Sequence, residues 1–455
     1  MAALLALLAA LLQPAAASAR SGELPVLVVL AQFPDRPITR SRQDFAGAPD
    51  ALIDRLVAYY DEVSAGRLRI RAHLGDPVVT LPGARASYVQ RPSALATDAI
   101  EAFARAGRRP EDESALAGAE ALIVFFAGTG QESHVGKPPN DPWSNYTGLP
   151  RPVHGIDEAI VIAEREVEPF SSFGVLCHEF GHLLGVPELY APGAAKHEGI
   201  GVWGLMGQGT WLGRGDRPPH PSGWTKLRLG WVDARRVSES TRRVRLPAVE
   251  LEPTVVTIPL GRDPREYLLL ENRARIGADA RLPGEGILVW HVDETRSSFR
   301  YAQMKPERKL LHLVEADGRN DLDRGHARGG NRGDASDPWR GIGRGRRLAG
   351  ALLAIAGALA LAGAVLRLGC GASPGAVLLR ILIAAVLLGG GALALRAPVC
   401  GPNHPGMAPY DRSPARIVLR NFSPVGREMY VDVVVLPALD APGGSAGAPR
   451  ERPLS

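Results

Sequence analysis

In the first half of the chain, short unbroken apolar runs alternate with segments whose apolar residues recur every three or four positions. Continuous runs at 24–31 (LPVLVVLA), 119–126 (AEALIVFF) and 159–163 (AIVIA) predict strands buried on both faces. Between them, Leu52, Ile53, Leu56, Val57 and Tyr60 fall at helical spacing within 51–63, and a second helix is expected near 93–106. Strands are expected at 67–74 and 78–81, and 171–184 reads as a helix stopped by Gly185. Strands alternating with helices indicate an α/β layer structure.

Past Trp231 the pattern changes. Strand-like runs at 255–259, 267–271, 286–292, 310–314, 417–419 and 429–436 are separated by Gly, Pro and Asp, as in a smaller, mainly β domain. An apolar insert interrupts it. Residues 348–366 carry no charge over 19 positions, a Gly/Ser/Pro turn follows at 369–375, and 376–395 is broken only by Arg380. At 1.5 Å per residue, each stretch could cross most of a ~30 Å hydrocarbon layer. Gly350, Ala354, Ala358 and Ala362 form a line of small residues suited to close helix packing. A membrane hairpin through 348–366 and 376–395 is therefore expected. With the first half of the chain outside, it puts Arg344, Arg346 and Arg347 outside too, against the positive-inside preference.

The resulting organisation is a signal peptide at 1–19, an α/β domain at 20–235 and a β-rich domain at 236–340. A transmembrane helical hairpin at 341–396, the last β strands at 397–436 and a disordered tail at 437–455 follow. The signal rests on the Leu/Ala run at 4–12 followed by Ala17-Ser18-Ala19, an A-x-A cleavage pattern. The 455 residues suffice for two cores, and 45% apolar with 22% charged residues excludes wholesale disorder. A net charge of +5 from scattered Arg gives no nucleic-acid-binding stripe. Three cysteines (Cys177, Cys370, Cys400) are too few for a disulfide framework, with Cys370–Cys400 the one candidate pair. Sequons at Asn145 and Asn421 carry meaning only in a eukaryotic secretory route.

The chemistry concentrates in Cys177-His178-Glu179-Phe180-Gly181-His182-Leu183-Leu184-Gly185-Val186-Pro187-Glu188. Histidines four apart on a helix share one face and can reach one ion, while Glu179 beside the first can take a proton from water there. Gly185 stands where the helix must stop in a left-handed turn, and the reversal brings Glu188 back toward the pair. Two His and one carboxylate leave a fourth position open, the arrangement of a catalytic zinc. The spacing resembles the long metzincin-type motif, and Met206 in the Gly-flanked stretch 201–211 looks like a Met-turn under the ligands.

These stretches, with VLVVLAQFPD (26–35), YYDEVSAGRLRI (59–70), HPSGWTKLRLGWV (220–232), YLLLENR (267–273), GEGILVWHVDE (284–294) and VEADGRNDLD (314–323), give a chain that resembles the immune inhibitor A-like (M6) metallopeptidases. The resemblance implies an α/β zincin catalytic domain and a zinc endopeptidase acting on proteins. His178, His182 and Glu188 fall on the metal positions and Glu179 on the base. The apolar hairpin departs from the family pattern, which continues there through a polar loop.

Tyr190 and His220 are candidates for a second oxyanion donor beside the metal. Asp317, Asn320, Asp321 and Asp323 have calcium-loop spacing without the Gly and final Glu of an EF-hand, so Ca2+ is a second candidate ion. The expected partners are protein or peptide substrates, and the expected location is secreted or in the cell envelope, anchored by the hairpin. Two rival readings are an inactive zinc-containing surface-binding module, which would not need Glu179, and an intramembrane zinc protease. The latter would place the motif inside a spanning helix, whereas 164–168 nearby is charged.

Overall fold

The computed structural model describes residues 22–106, 109–134, 141–191, 197–296, 303, 305, 307–325, 328–341, 344–369, 374–395, 398–401, 403–404, 406–410 and 416–436. The expected signal peptide, the tail and Cys370 lie outside them; Cys400 is a buried free thiol.

The first layer is a mixed sheet. Its strands are β1 (Gly22–Gln32), β2 (Leu68–Leu74), β3 (Val79–Thr80), β4 (Ala121–Thr129), β5 (Asn145–Val153) and β6 (Ile156–Arg165), in the order β2-β1-β4-β6-β5 with β3 beside β1. β1, β2, β3, β4 and β6 run parallel; β5 is antiparallel and forms one edge. Strand periodicity sends alternate residues to opposite faces. Leu24, Val26, Val28 and Leu30 of β1 thus join one apolar cluster, and Leu27, Val29 and Ala31 join another. β4 divides in the same way, with Ile123 and Phe125 on one side and Leu122, Val124 and Phe126 on the other.

Helices cover both faces. α1 (Leu52–Val63) and α4 (Phe173–Leu183) bury Leu56, Tyr60, Leu176 and Phe180 in the first cluster. α2 (Pro92–Arg105) brings Leu95, Ala99, Ile100 and Phe103 to the second cluster, and α3 (Pro110–Gly118) adds Leu116. A short helix, α5 (Gly223–Arg228), capped by Ser222, leads out of this layer.

A second, five-stranded sheet follows in the order β12-β11-β10-β9-β7: β7 (Asp233–Arg236), β9 (Thr254–Pro259), β10 (Glu266–Arg273), β11 (Gly286–Asp293) and β12 (Leu311–Leu313). Leu269, Leu288 and Trp290 on one face join the same cluster as α4. On the other face, Leu268, Leu270, Ile287 and Val289 pack toward a third sheet. That sheet is β8 (Thr241–Pro247), β13 (Ile417–Arg420) and β14 (Glu428–Val435), with β14 pairing both others. The one-turn helix α6 (Asp321–Arg324) lies between β12 and the apolar insert.

The insert forms two helices, α7 (Arg344–Gly369) and α8 (Pro374–Leu395), packed on each other. Among the described residues no helix is long and apolar enough to cross a membrane, so the spans expected at 348–366 and 376–395 are not supported. Ala and Gly, weak drivers of insertion, make up much of both helices, and Arg380 interrupts the second. The seam also differs from expectation. Ala358 and Ala362 are exposed, whereas Gly357 and Ala364 are buried. A methyl group on Gly357 would come 2.9 Å from the Leu388 backbone nitrogen, so the close approach is there.

Candidate metal centre and active site

α4 is held by glycine contacts along its length. At its start, the Gly174 amide donates to the Gly215 carbonyl at 2.7 Å, and a Cβ there would stand 2.0 Å from the Thr210 carbonyl oxygen. Midway, a Cβ on Gly181 would meet the Met206 sulfur at 2.5 Å, so Met206 packs directly under the helix that carries the histidines. At its end, Gly185 takes φ +84°. Its amide donates to the His182 carbonyl at 2.9 Å, and the Val186 amide to the Gly181 carbonyl at 3.2 Å. This pair of bonds closes the helix with a left-handed glycine cap and turns the chain back.

The reversal delivers Glu188 to the imidazoles. His178 Nε2 lies 3.3 Å from Glu188 Oε2, and His182 Nε2 lies 3.2 Å from Glu188 Oε1. Ligand-type atoms of all three fall within 4.8 Å of one another. The two rings stand 4.8 Å apart at 87°.

The far nitrogens of the rings are engaged as well. His182 Nδ1 is 2.8 Å from the Val186 carbonyl, which makes Nδ1 a donor and turns Nε2 toward Glu188. His178 Nδ1 lies 2.8 Å from Thr210 Oγ1, whose own proton goes to the Leu205 carbonyl at 3.0 Å. Both histidines are thus oriented with Nε2 toward a common point, as metal-binding imidazoles are.

Burial lowers the His178 pKa, but the adjacent Glu188 carboxylate outweighs it, and the result is pushed up to about 9. Burial raises Glu188, yet the two imidazoles hold it well below the usual carboxylate range. In this geometry a proton between ring and carboxylate takes the place a cation would fill. The residues fit a divalent ion: two neutral-capable imidazoles, a carboxylate whose Oε2 is buried without a hydrogen-bond partner, and backbone acceptors behind both rings.

Glu179, 8% exposed, sits beside this set. Its Oε2 accepts the Tyr146 amide of edge strand β5 at 2.7 Å. Burial, the largest influence, raises its pKa, partly opposed by the histidines. Tyr190 donates to Glu188 Oε1 at 3.1 Å and lies near the His178 ring.

Of the other candidates, His220 is placed in a different environment. Its Nε2 pairs with Glu62 at 3.2 Å and its Nδ1 faces Lys226 Nζ at 3.4 Å, so neither ring nitrogen is directed at the His178/His182/Glu188 set. Cys177 is buried behind the helix.

The calcium candidates are divided. Asp317 and Asp321 come together with Asp334, and Asp317 also groups with Glu315 and Asp337. Asp323 instead pairs with Lys309 and His312, and Asn320 takes a left-handed φ of 52° at the start of α6. Sequence reading missed Glu315, Asp334 and Asp337. VEADGRNDLD contains the first, but Asp334 and Asp337 stand beyond it, and only the fold of 328–341 returns them.

Residues 122–232 match the family described as "Immune inhibitor A peptidase M6, catalytic domain", a segment that includes α4 and the loop carrying Met206. That segment, about a quarter of the chain, is similar to the catalytic domain of M6 metallopeptidases. Immune inhibitor A of Bacillus thuringiensis subsp. alesti is similar at 34% identity over 106 residues, 20% of this chain and 15% of that protein. Pre-pro-metalloprotease PrtV of Vibrio cholerae serotype O1 (strain M66-2) is 27% identical over 159 residues, 30% of this chain and 16% of that protein. The matched segment therefore spans less than a fifth of either relative's own length. The matched segment takes in β4, β5, β6, α4 and the His178/His182/Glu188 set.

Proposed function

We propose that this chain is a zinc metalloendopeptidase with a metzincin-like catalytic layer, in which His178, His182 and Glu188 hold the ion and Glu179 is the general base. The observation that carries the reading is the convergence of the two Nε2 atoms on the Glu188 carboxylate, with each Nδ1 tied to an oxygen behind it. Two nitrogens and one carboxylate suit zinc, which when bound would lower the pKa of water and polarise a peptide carbonyl.

The remaining steps fall to the protein's own groups. Glu179, with a raised pKa, is suited to take a proton from the attacking water at its carboxylate and to return it to the leaving amine. Tyr190, within hydrogen-bond reach of Glu188, is the nearer candidate for a donor to the developing oxyanion. The edge position of β5 supports a peptide as substrate. Its outer side pairs with no strand among the described residues and can accept an extended chain by strand addition. The acidic group of Asp317, Asp321, Asp334, Glu315 and Asp337 offers only oxygen donors and suits calcium in the same reading. We place the enzyme outside the cell, following the apparent signal sequence.

The deciding experiment pairs casein zymography with metal analysis on wild type and Glu179→Gln. The variant should keep about one zinc per chain and lose at least about 10²-fold in activity. Retained activity would remove Glu179 as base, and a wild type without stoichiometric metal would remove the ligand set.

A further inference from the structure

A second pair of carboxyl groups lies apart from the His178/His182/Glu188 centre. Glu132 stands in the turn after β4 and Glu166 directly after β6, close enough for the charge of one carboxylate to act on the other. Glu166 is 3% exposed. Three of the four carboxylate oxygens, Glu132 Oε1 and both of Glu166, are buried and have no hydrogen-bond partner among the described residues. The fourth, Glu132 Oε2, accepts the Ser144 amide at 3.2 Å. By contrast Glu164, two residues earlier, is fully satisfied by donors from Thr39, Arg40 and Gly128.

Two carboxylates buried together are unstable unless something positive joins them. A shared proton would make a single O–H···O bond and so satisfy two of the three orphaned oxygens. The Ser133 hydroxyl has one proton, and it goes to the Gly130 carbonyl at 3.1 Å. A cation satisfies all three oxygens at once. We infer that Glu132 and Glu166, with the Ser133 hydroxyl beside them, form a calcium site that ties the end of β6 to the loop entering β5. All its donors are hard oxygens, the class calcium prefers. Burial first, and then the Glu132 charge, push the Glu166 carboxyl up to about 9, the strain expected of a dicarboxylate without its counter-charge.

The site has a consequence for the proposed activity without depending on it. β6 leads into α4, and 141–144 leads into edge strand β5 beside Glu179, so a bound ion would brace the strand on which a substrate is expected to lie. Calcium binding is measurable in protein that cleaves nothing.

The test counts calcium. Full-length protein is stripped with a chelator, reloaded with zinc and titrated with CaCl2 by calorimetry and equilibrium dialysis. Glu166→Gln should bind one calcium fewer per chain than wild type and keep its zinc. Asp334→Asn serves as the control for the separate acidic cluster, so combining it with Glu166→Gln should leave that loss unchanged. An equal calcium count in wild type and Glu166→Gln overturns the site. If Glu166→Gln does not fold, Glu132→Gln replaces it. Wild type also answers alone. Calcium should slow amide hydrogen exchange at Ser144 and Val167 at least about tenfold, in the Asp334→Asn background as well, and unchanged exchange overturns the inference.

Discussion

His178 shows how a single side chain is set by what stands behind it. Its Nε2 faces Glu188, and its Nδ1 bonds Thr210, which passes its own proton on to the Leu205 carbonyl. Thr210 is nearly buried, so no water readily replaces its hydroxyl. Thr210→Val keeps the shape and removes the acceptor. It should weaken zinc affinity about 10–100-fold, as loss of outer-shell partners generally does, measured by competition with a chromogenic chelator. An unchanged affinity would show that the Leu205 carbonyl alone orients the ring. Thr210 lies 32 positions from His178. No spacing rule in the sequence points to it.

At the scale of the element, α4 owes its position to missing side chains. Gly174 lets the helix start lie against the Thr210 and Gly215 carbonyls, where a Cβ would clash at 2.0 Å. Gly174→Ala should therefore cost about 1–3 kcal/mol of stability in urea unfolding and weaken metal binding, because the strand of contacts it displaces includes Thr210. A variant as stable as wild type would mean the 201–215 loop yields without cost. Gly181 does the same for Met206 in the middle of the helix. Periodicity marked α4 and Gly185 marked its end, but periodicity is silent on why small residues occupy 174 and 181. Their neighbours arrive from 206–215.

For the whole molecule, the joint between the first sheet and the second is a buried charge network. Arg273 of β10 is fully buried, with both terminal Asp279 oxygens at 2.6 Å, Glu271 at 3.4 Å and Glu250 at 3.5 Å. It also donates to the Trp203 carbonyl at 3.0 Å, next to the Met206 loop. Arg273→Met leaves those carboxylates uncompensated and should lower stability by about 3–5 kcal/mol in denaturant titration. The pH sign follows from Asp279. Burial alone would raise its pKa, but Arg273 outweighs burial and the carboxyl is depressed. Its contribution is therefore present above the unfolded value of about 3.9 and lost as pH falls toward the depressed one. Wild-type stability should drop through this acid range, and Arg273→Met should show a shallower drop. Equal slopes would assign the acid sensitivity elsewhere.

Much of the architecture was legible beforehand because it depends on local order. Continuous apolar runs marked β1, β4 and β6, since a strand covered on both faces needs apolar residues at every position. The motif from His178 to Glu188 carried its own geometry, a helical face and a glycine reversal, within eleven residues. Tertiary structure alone decided what lies behind and around those residues. Thr210, Arg273, Asp334, Asp337 and the Glu132–Glu166 pair belong to contacts between segments far apart in the chain. His220, a candidate oxyanion donor by sequence, was drawn to Glu62 and Lys226 by the fold. Periodicity and short motifs report which groups lie on one face of one element. Which groups meet across elements depends on how the faces pack, and packing is settled by all of them together.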